Sequence, residues 1–385
     1  MKKVITALIF MFIFVLIFTG CNKKDIDRLN VVSAIGIDKT EKGFSVTFQV
    51  INDYALSPNK KIDIAPVAIR KIESASMFEA MAKTSNYFTE EFFLFHFRVL
   101  AFGEDVAREG IYPFLNVFLN YRETQHNYNI VIVDGGKAED LLKIQSSLDL
   151  IPGIAIEEKI RNSSQFYGLG LSTNLDQILS DIIIKGSNFV LSSMKVIGDP
   201  EKGTKGDNNK SIDPDAYFIV SNLAVFKEDK LIGWLSEKES LGYQYIMNNI
   251  KKSVVTIILK DESVITLEII SNKTKVKVSL ENNLPKLKID CHIKGGVYED
   301  MSGITKFTDE YINEVIEKTS YEVKKMMEDC IKKSQKEYNS DIFRFSEAIH
   351  RRYPKYWQNN IDKYDEIYPN IEIEINIRTE LVRVR

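Results

Sequence analysis

The sequence is poor in the residues that build metal centres and disulfide frameworks. Its 385 residues include 3 cysteines and 4 histidines, and no two cysteines form a CxxC pair. Because zinc and iron–sulfur sites need closely spaced ligands of these types, the spacing predicts no metal site. Cys291 lies in an alternating, strand-like segment, and Cys330 lies on an apolar helical stripe. We predict that both are small buried side chains, with a disulfide as the alternative.

An excess of one charge is also missing. The chain has 51 basic and 54 acidic side chains, which gives a formal net charge of −3. No bulk field attracts it to nucleic acid, so a nucleic-acid partner is not expected. Hydrophobic residues make up 44% and charged residues 27%, which is typical of a folded protein. The length suits two or three domains of roughly 100–200 residues.

Motifs of nucleophilic catalysis are absent as well. The sequence has no GxSxG and no SxxK with its usual partner motifs. Asp134-Gly135-Gly136 follows an apolar run and opens a helix, where backbone N–H groups could hold a phosphate. It lacks the rest of a nucleotide-binding fingerprint, so we interpret it as a plain turn between a strand and a helix. The sequence therefore predicts no enzyme, no catalytic residues and no cofactor.

The N-terminus has the features of an export signal. Two lysines precede an apolar run from Val4 to Phe18, which is shorter than the roughly 20 residues of a membrane span. The run closes at Gly20-Cys21, which resembles the lipobox of bacterial lipoproteins, although Phe18 stands where leucine is commonest. The resemblance implies cleavage after residue 20 and acyl chains, palmitate among them, on Cys21. An uncleaved anchor helix and an ordinary export signal are the alternatives.

The remaining chain divides at residues 199–215, where Gly, Pro, Asn and charged residues leave no apolar face. Before this segment, residues 21–198 mix strand and helix patterns, which predicts an α/β domain. After it, residues 216–385 show alternating runs typical of an antiparallel sheet, two long helices and a final strand of alternating isoleucines. The predicted fold class is thus α+β, with residues 1–20 as signal peptide and 199–215 as linker or loop.

A basic and aromatic cluster lies after the second long helical pattern. It combines arginine and aromatic side chains, the residue types enriched at interface hot spots. Tyr353 and Trp357 could instead pack against the last strands, and cations near a helix C-terminus have an ordinary dipole explanation. We treat the cluster as a candidate partner interface and keep the packing alternative open. Its members are His350, Arg351, Arg352, Tyr353, Tyr356 and Trp357.

Five long segments carry a likeness to a known family. They are SAIGIDKTEKGFSVTFQVIN, FHFRVLAFGEDVAREGI, YNIVIVDGGKAEDLLKI, NLAVFKEDKLIGWLSEKESLGYQYIMNNIK and, most strongly, DIFRFSEAIHRRYPKYWQNNIDKYDEIYPNIEIEINI. Together, and in the family's order through nearly the whole mature chain, they resemble the Ger(x)C family, the C subunits of bacterial spore nutrient-germinant receptors.

The resemblance implies a lipoprotein on the outer face of the spore inner membrane. Such a subunit is not an enzyme and assembles with two membrane-embedded partners, a transporter-like B subunit and an A subunit, in nutrient-triggered germination. Two other classes are weighed against it. A solute-binding lipoprotein of an importer would show two similar α/β lobes, and a cell-wall hydrolase would need a nucleophile or metal constellation.

Overall fold

The structure is a computed structural model that describes residues 29–41, 43–52, 55, 64–121, 124–145, 148, 150–301 and 308–383. The predicted signal peptide and Cys21 lie outside these residues. The strands are β1 (Leu29–Thr40), β2 (Gly43–Ile51), β3 (Val67–Ser74), β4 (Glu91–Phe93), β5 (Val99–Phe102), β6 (Asn129–Val133), β7 (Val190–Gly198), β8 (Ala216–Lys227), β9 (Lys230–Trp234), β10 (Ser253–Ile258), β11 (Val264–Glu281), β12 (Leu284–Asp300) and β13 (Glu372–Arg383).

Helices alternate with the strands in the first half and gather after β12 in the second. They are α1 (Met77–Lys83), α2 (Glu104–Glu109), α3 (Tyr112–Asn120), α4 (Ala138–Lys143), α5 (Pro152–Phe166), α6 (Leu175–Ile183), α7 (Pro200–Gly203), α8 (Gly206–Lys210), α9 (Glu237–Ile246), α10 (Asp309–Lys332), α11 (Phe345–Arg352), α12 (Pro354–Asn360) and α13 (Tyr364–Ile367). A π turn at Lys333–Tyr338 extends α10.

The first half folds around a nine-stranded sheet with the order β3-β2-β1-β5-β6-β7-β8-β9, and β4 pairs with the start of β1. The central strands β1, β5, β6 and β7 are parallel, and the outer strands are antiparallel. Helices cover both faces, so a central strand such as NIVIV in β6 is buried along its whole length. That is why the parallel strands read as apolar runs and not as alternation.

A side chain of the neighbouring strand β1 binds the helix start that follows the turn at Gly135-Gly136. The carboxylate of Asp38 in β1 accepts hydrogen bonds from the backbone nitrogens of Ala138 at 2.6 Å and Glu139 at 2.8 Å. Burial raises the pKa of Asp38, and the two backbone hydrogen bonds oppose this rise. Because a side chain already occupies the first turn of α4, the interpretation as a plain turn is confirmed.

The apolar run EFFLFHFRVLAFG predicts one buried strand, but it forms two short strands, β4 and β5, joined by a turn. Both pair in parallel with β1, at Val31↔Phe93 and again from Ala34↔Val99. Between these two pairings β1 has two residues, whereas the run has five. The extra residues of the run must therefore leave the sheet. Phe95 and His96 are accordingly exposed.

The large sheet continues past residues 199–215. That segment contains α7 and α8, and Asn208 donates hydrogen bonds to the carbonyls of Gln145 at 2.7 Å and Ala216 at 2.9 Å. Strands β8 and β9 then pair onto β7, so they belong to the first sheet although they follow the predicted linker. The two sheets therefore separate after Trp234, and the polar segment is a packed connection within the first of them.

The second sheet has the order β10-β11-β12-β13. Strands β10, β11 and β12 are antiparallel as predicted, but β13 runs parallel to β12 because the chain crosses the sheet through α10–α13 before returning. Thr308 caps α10 by accepting a hydrogen bond from the nitrogen of Tyr311 at 3.2 Å. Cys291 and Cys330 are buried and free, which confirms their prediction as small core side chains. The α+β class is also confirmed.

Among the described residues, no helix has both the length and the apolar content that crossing a membrane requires.

Candidate partner interface

The candidate cluster lies on two short helices, α11 and α12, that meet at Pro354. Proline has no N–H to donate and fixes its own φ, so one helix ends before it and the next begins with it. The buried face of this pair packs into the core beneath the second sheet through Phe345, Ile349 and Trp357. The exposed part carries three of the six predicted interface residues, His350, Arg351 and Arg352.

A buried carboxylate starts the pair. Asp341 accepts hydrogen bonds from the backbone nitrogens of Phe343 at 3.2 Å, Phe345 at 3.1 Å and Ser346 at 2.7 Å, and from the hydroxyl of Tyr364 at 2.8 Å. The amides of Phe345 and Ser346 belong to the first turn of α11, where backbone N–H groups have no partner within the helix. Burial raises the pKa of Asp341, and the hydrogen bonds act in the opposite direction.

Trp357 is a packing residue. Its side chain is 4% exposed, and its ring centre lies 5.0 Å from that of Tyr364 and 6.0 Å from that of His350. Gly186 of the first half lies against both indole and phenol: a Cβ there would be 2.6 Å from Tyr364 and 3.2 Å from Trp357. The position of Trp357 therefore agrees with the packing alternative, and its ring is not available on the surface.

The exposed part of the cluster is basic. The side chain of Arg351 is 79% exposed, and its Nη1 lies 3.8 Å from the carboxylate of Glu347. The guanidinium of Arg352 lies 5.6 Å from the centre of the half-buried Tyr353 ring. His350 is exposed at its outer side while its ring stacks on the buried layer. The structure thus brings together three neighbouring side chains that can meet an acidic or aromatic partner surface.

Tyr356 lies apart from this basic face. It is half-buried, and with Leu284 and Pro285 at the start of β12 it lines a cavity of about 380 Å³. Burial raises the pKa of its phenol. Of the six predicted residues, three therefore share the exposed face, one is in the core and two are intermediate.

Two family models match the sequence, one in each half. The model described as "Spore germination protein N-terminal domain" matches residues 22–196, and "Spore germination B3/ GerAC like, C-terminal" matches residues 221–385. They leave only residues 1–21 and 197–220 unmatched. The chain belongs to the Ger(x)C family of spore germination proteins. The predicted family is confirmed.

Relatives of the Ger(x)C chain align along almost its full length. It is 26% identical over 393 residues to Spore germination protein KC of Bacillus subtilis (strain 168), which covers 99% of this chain and 96% of the relative. It is 22% identical to Spore germination protein B3 of the same organism, covering 97% and 96%. The crystal structure of the GerBC protein has a similar fold, with a TM-score of 0.57, 17% identity and coverage of 91% and 97%.

Local sequence patterns do not predict the contact between Arg344 and Asp181 that joins the two halves of the Ger(x)C chain. Arg344 reaches from the second half to Asp181 of α6, with Nε and Oδ1 2.6 Å apart and the carboxylate largely buried. Burial raises the pKa of Asp181, and Arg344 opposes the rise. The two residues are 163 positions apart, so no local pattern could pair them. The role of Asp341 is predictable from the sequence, because an aspartate just before a helical pattern is typical of a residue that caps the helix.

Proposed function

We propose that this chain is the lipid-anchored C subunit of a spore nutrient-germinant receptor and that it works through contacts with the membrane-embedded A and B subunits. Family membership assigns it a role in spore germination. The partners, the anchor and the site on the outer face of the spore inner membrane are inferred from the resemblance and from the lipobox. A tethered subunit meets its partners in two dimensions, which raises its effective concentration.

The observation that carries this proposal is the match of both halves, in order, to the two germination-protein models. The fold agrees with it better than with a solute-binding lipoprotein. Such a protein would have two similar lobes around a cleft, whereas these two sheets differ in strand number, order and direction. Contacts at Asp181 and Gly186 also join the two halves directly.

Recovery of partners from spores tests the proposal. The tagged chain is solubilised from spore inner membranes with mild detergent and its bound proteins are identified. We expect two polytopic membrane proteins, one of them transporter-like. Recovery of the chain without such partners, from spores that germinate normally, would contradict the assignment.

Removal of the anchor should release the protein. In Cys21→Ala the sulfur that would carry the acyl chains is missing, so we expect the chain to move from the membrane pellet to the soluble fraction of spore extracts. Fractionation with and without 1 M salt, which screens charge contacts, measures this. Ser279→Ala, at an exposed position of β11, is a control that leaves Cys21 intact. Complete retention of Cys21→Ala in the pellet would favour an uncleaved helix or retention by partners.

Charge reversal on the basic face should weaken partner recovery without unfolding the protein. In Arg351→Glu with Arg352→Glu both altered side chains are exposed, so stability should change by no more than about 0.5 kcal/mol per site. If they meet an acidic partner surface, recovery of the A and B subunits should fall at least about tenfold, equivalent to 1.4 kcal/mol.

The matched control for this variant is Lys273→Glu with Lys275→Glu, which makes the same charge change at exposed positions of β11. An equal fall in the recovery of the A and B subunits for both variants would show a general effect of charge. Unchanged germination and recovery with Arg351→Glu and Arg352→Glu would show that this face is not the interface.

A further inference from the structure

One aromatic run is divided between the core and the surface. Residues 87–97 read YFTEEFFLFHF and contain six aromatic residues and one histidine. Phe88, Phe92 and Phe97 turn inward: the Phe92 ring lies 5.1 Å from that of Phe48, and the Phe97 ring 4.2 Å from that of Tyr128. Core packing accounts for these three rings.

The other rings of the run are exposed or half-buried. We call Tyr87, Phe93, Phe95 and His96 the aromatic rim. The ring centres of Phe93 and Phe95 are 6.0 Å apart, those of Phe95 and His96 5.1 Å, and those of Phe93 and His96 5.7 Å. Tyr87 is 55% exposed and Phe95 is 37% exposed. Neighbouring rings held against one another at the surface contribute little to the core, so the fold does not explain them.

The aromatic rim lies beside the start of β1. Strand β4 pairs with its first residues at Leu29↔Glu91 and Val31↔Phe93, and the amide of Asn30 donates to the carbonyl of Glu90 at 2.9 Å. Cys21 precedes Leu29 by eight residues. Eight residues span at most about 29 Å when fully extended, at 3.6 Å per residue. An anchor at Cys21 therefore keeps this end of the sheet within about 29 Å of the bilayer.

We propose that the aromatic rim is a membrane-contact surface that lies in the headgroup region of the bilayer beside the acyl anchor. This inference rests on the proposed lipidation of Cys21. Aromatic rings with a polar edge favour the membrane–water interface, and Tyr87 and His96 each carry such a group. Glu90, Glu91 and Arg98 are exposed beside the rim, and this excess of acidic groups favours zwitterionic over anionic lipid headgroups.

The contact has a definite consequence for orientation. An acyl anchor alone allows the domain to rotate freely about its linker, whereas a second contact at the rim fixes which end of the large sheet faces the lipid. Strands β1, β5 and β6 are parallel, so all of them begin toward the same end. The opposite end, where β1 turns into β2, then faces away from the membrane.

Lipid quenching of a tryptophan placed in the rim tests this. Purified lipidated full-length Phe95→Trp is reconstituted into phosphatidylcholine vesicles with brominated acyl chains, and the emission of the unsubstituted protein is subtracted. We expect a blue shift and a severalfold larger loss of the added fluorescence than for Phe78→Trp. Phe78 is a matched control because it is 64% exposed and opens α1, which follows the far end of β3, roughly 26 Å along that eight-residue strand.

Flotation of the same vesicles separates the possible failures. If the protein floats with the vesicles but Phe95→Trp is quenched no more than Phe78→Trp, the membrane contact is wrong and the anchor stands. If the protein does not float, the anchor proposal fails and the inference falls with it. A photoreactive benzoylphenylalanine at position 95 tests whether the rim contacts a partner protein and not lipid. Efficient cross-linking to a protein in spore inner membranes would assign the rim to a partner subunit and overturn the lipid contact.

Discussion

Trp357→Ala should lower the free energy of unfolding by about 3–5 kcal/mol, the usual loss when a buried tryptophan is truncated. The indole packs on Tyr364 and under His350, and Gly186 closes over it from the first half. Truncation leaves a cavity beside the Tyr364 ring, which its hydrogen bond to Asp341 holds in place, so collapse can fill little of the cavity. Urea denaturation followed by circular dichroism measures the loss.

The matched variants separate packing from partner contact. Trp357→Phe keeps an aromatic ring in the same space and should lose clearly less stability than Trp357→Ala. Arg351→Glu should lose almost none, because its side chain is 79% exposed. If Trp357→Ala were as stable as the parent protein yet failed to recover partners, the indole would have to leave the core to meet them. The packing interpretation would then be wrong.

Local patterns in the sequence were sufficient where the physical cause is local. The cap at Thr308 needs only a hydroxyl three residues before the amide that it accepts from. The face of α10 follows from apolar residues at helical spacing, and the alternating isoleucines from Ile371 to Ile377 give β13 one face toward the core. The sequence predicts these elements in type, because each depends on neighbours a few residues away.

The misses arose where distant segments decide the outcome. Nothing in EFFLFHFRVLAFG shows that both of its strands pair with β1, so the expulsion of Phe95 and His96 from the sheet could not be foreseen. The pairing of Asp181 with Arg344 likewise depends on how α6 meets the second half. The alternating pattern of β13 predicts a sheet strand but not its direction, because parallel and antiparallel edge strands can show the same alternation. The direction is set by the crossover through α10–α13.

Helices α11 and α12 carry the exposed basic residues Arg351 and Arg352 on one side and the contact of Trp357 with Gly186 of the first half on the other. His350 joins them, since its ring stacks on Trp357 while its other side faces solvent. Beneath Trp357 come Tyr364 and Gly186, and Gly186 belongs to the first half. A partner bound at Arg351 and Arg352 would thus be separated from the junction of the halves by one layer of rings. Stability and partner recovery should therefore be measured together for every variant here.

Asp341→Ala should destabilise the protein by at least about 3 kcal/mol, because hydrogen bonds to a charged group are worth about 1.5–3 kcal/mol each and several are lost together. The substitution leaves the amides of Phe343, Phe345 and Ser346 and the hydroxyl of Tyr364 without their common acceptor in a site that water does not reach. The start of α11 should loosen first, which would release Arg344 from Asp181 next to it.

Two milder variants show whether the carboxylate acts as this common acceptor. Tyr364→Phe removes one of the four hydrogen bonds and should cost about 0.5–1.5 kcal/mol, or up to about 3 if the charge strengthens it. Asp341→Asn keeps the shape and one acceptor oxygen, but its NH2 group cannot accept the hydrogen bonds that Oδ2 receives from Ser346 and Tyr364. Its loss should therefore lie between those of the other variants. Hydrogen exchange of the Phe345 and Ser346 amides reports directly on this turn. If Asp341→Ala left their exchange and the urea midpoint unchanged, the carboxylate would not be what holds α11 in place.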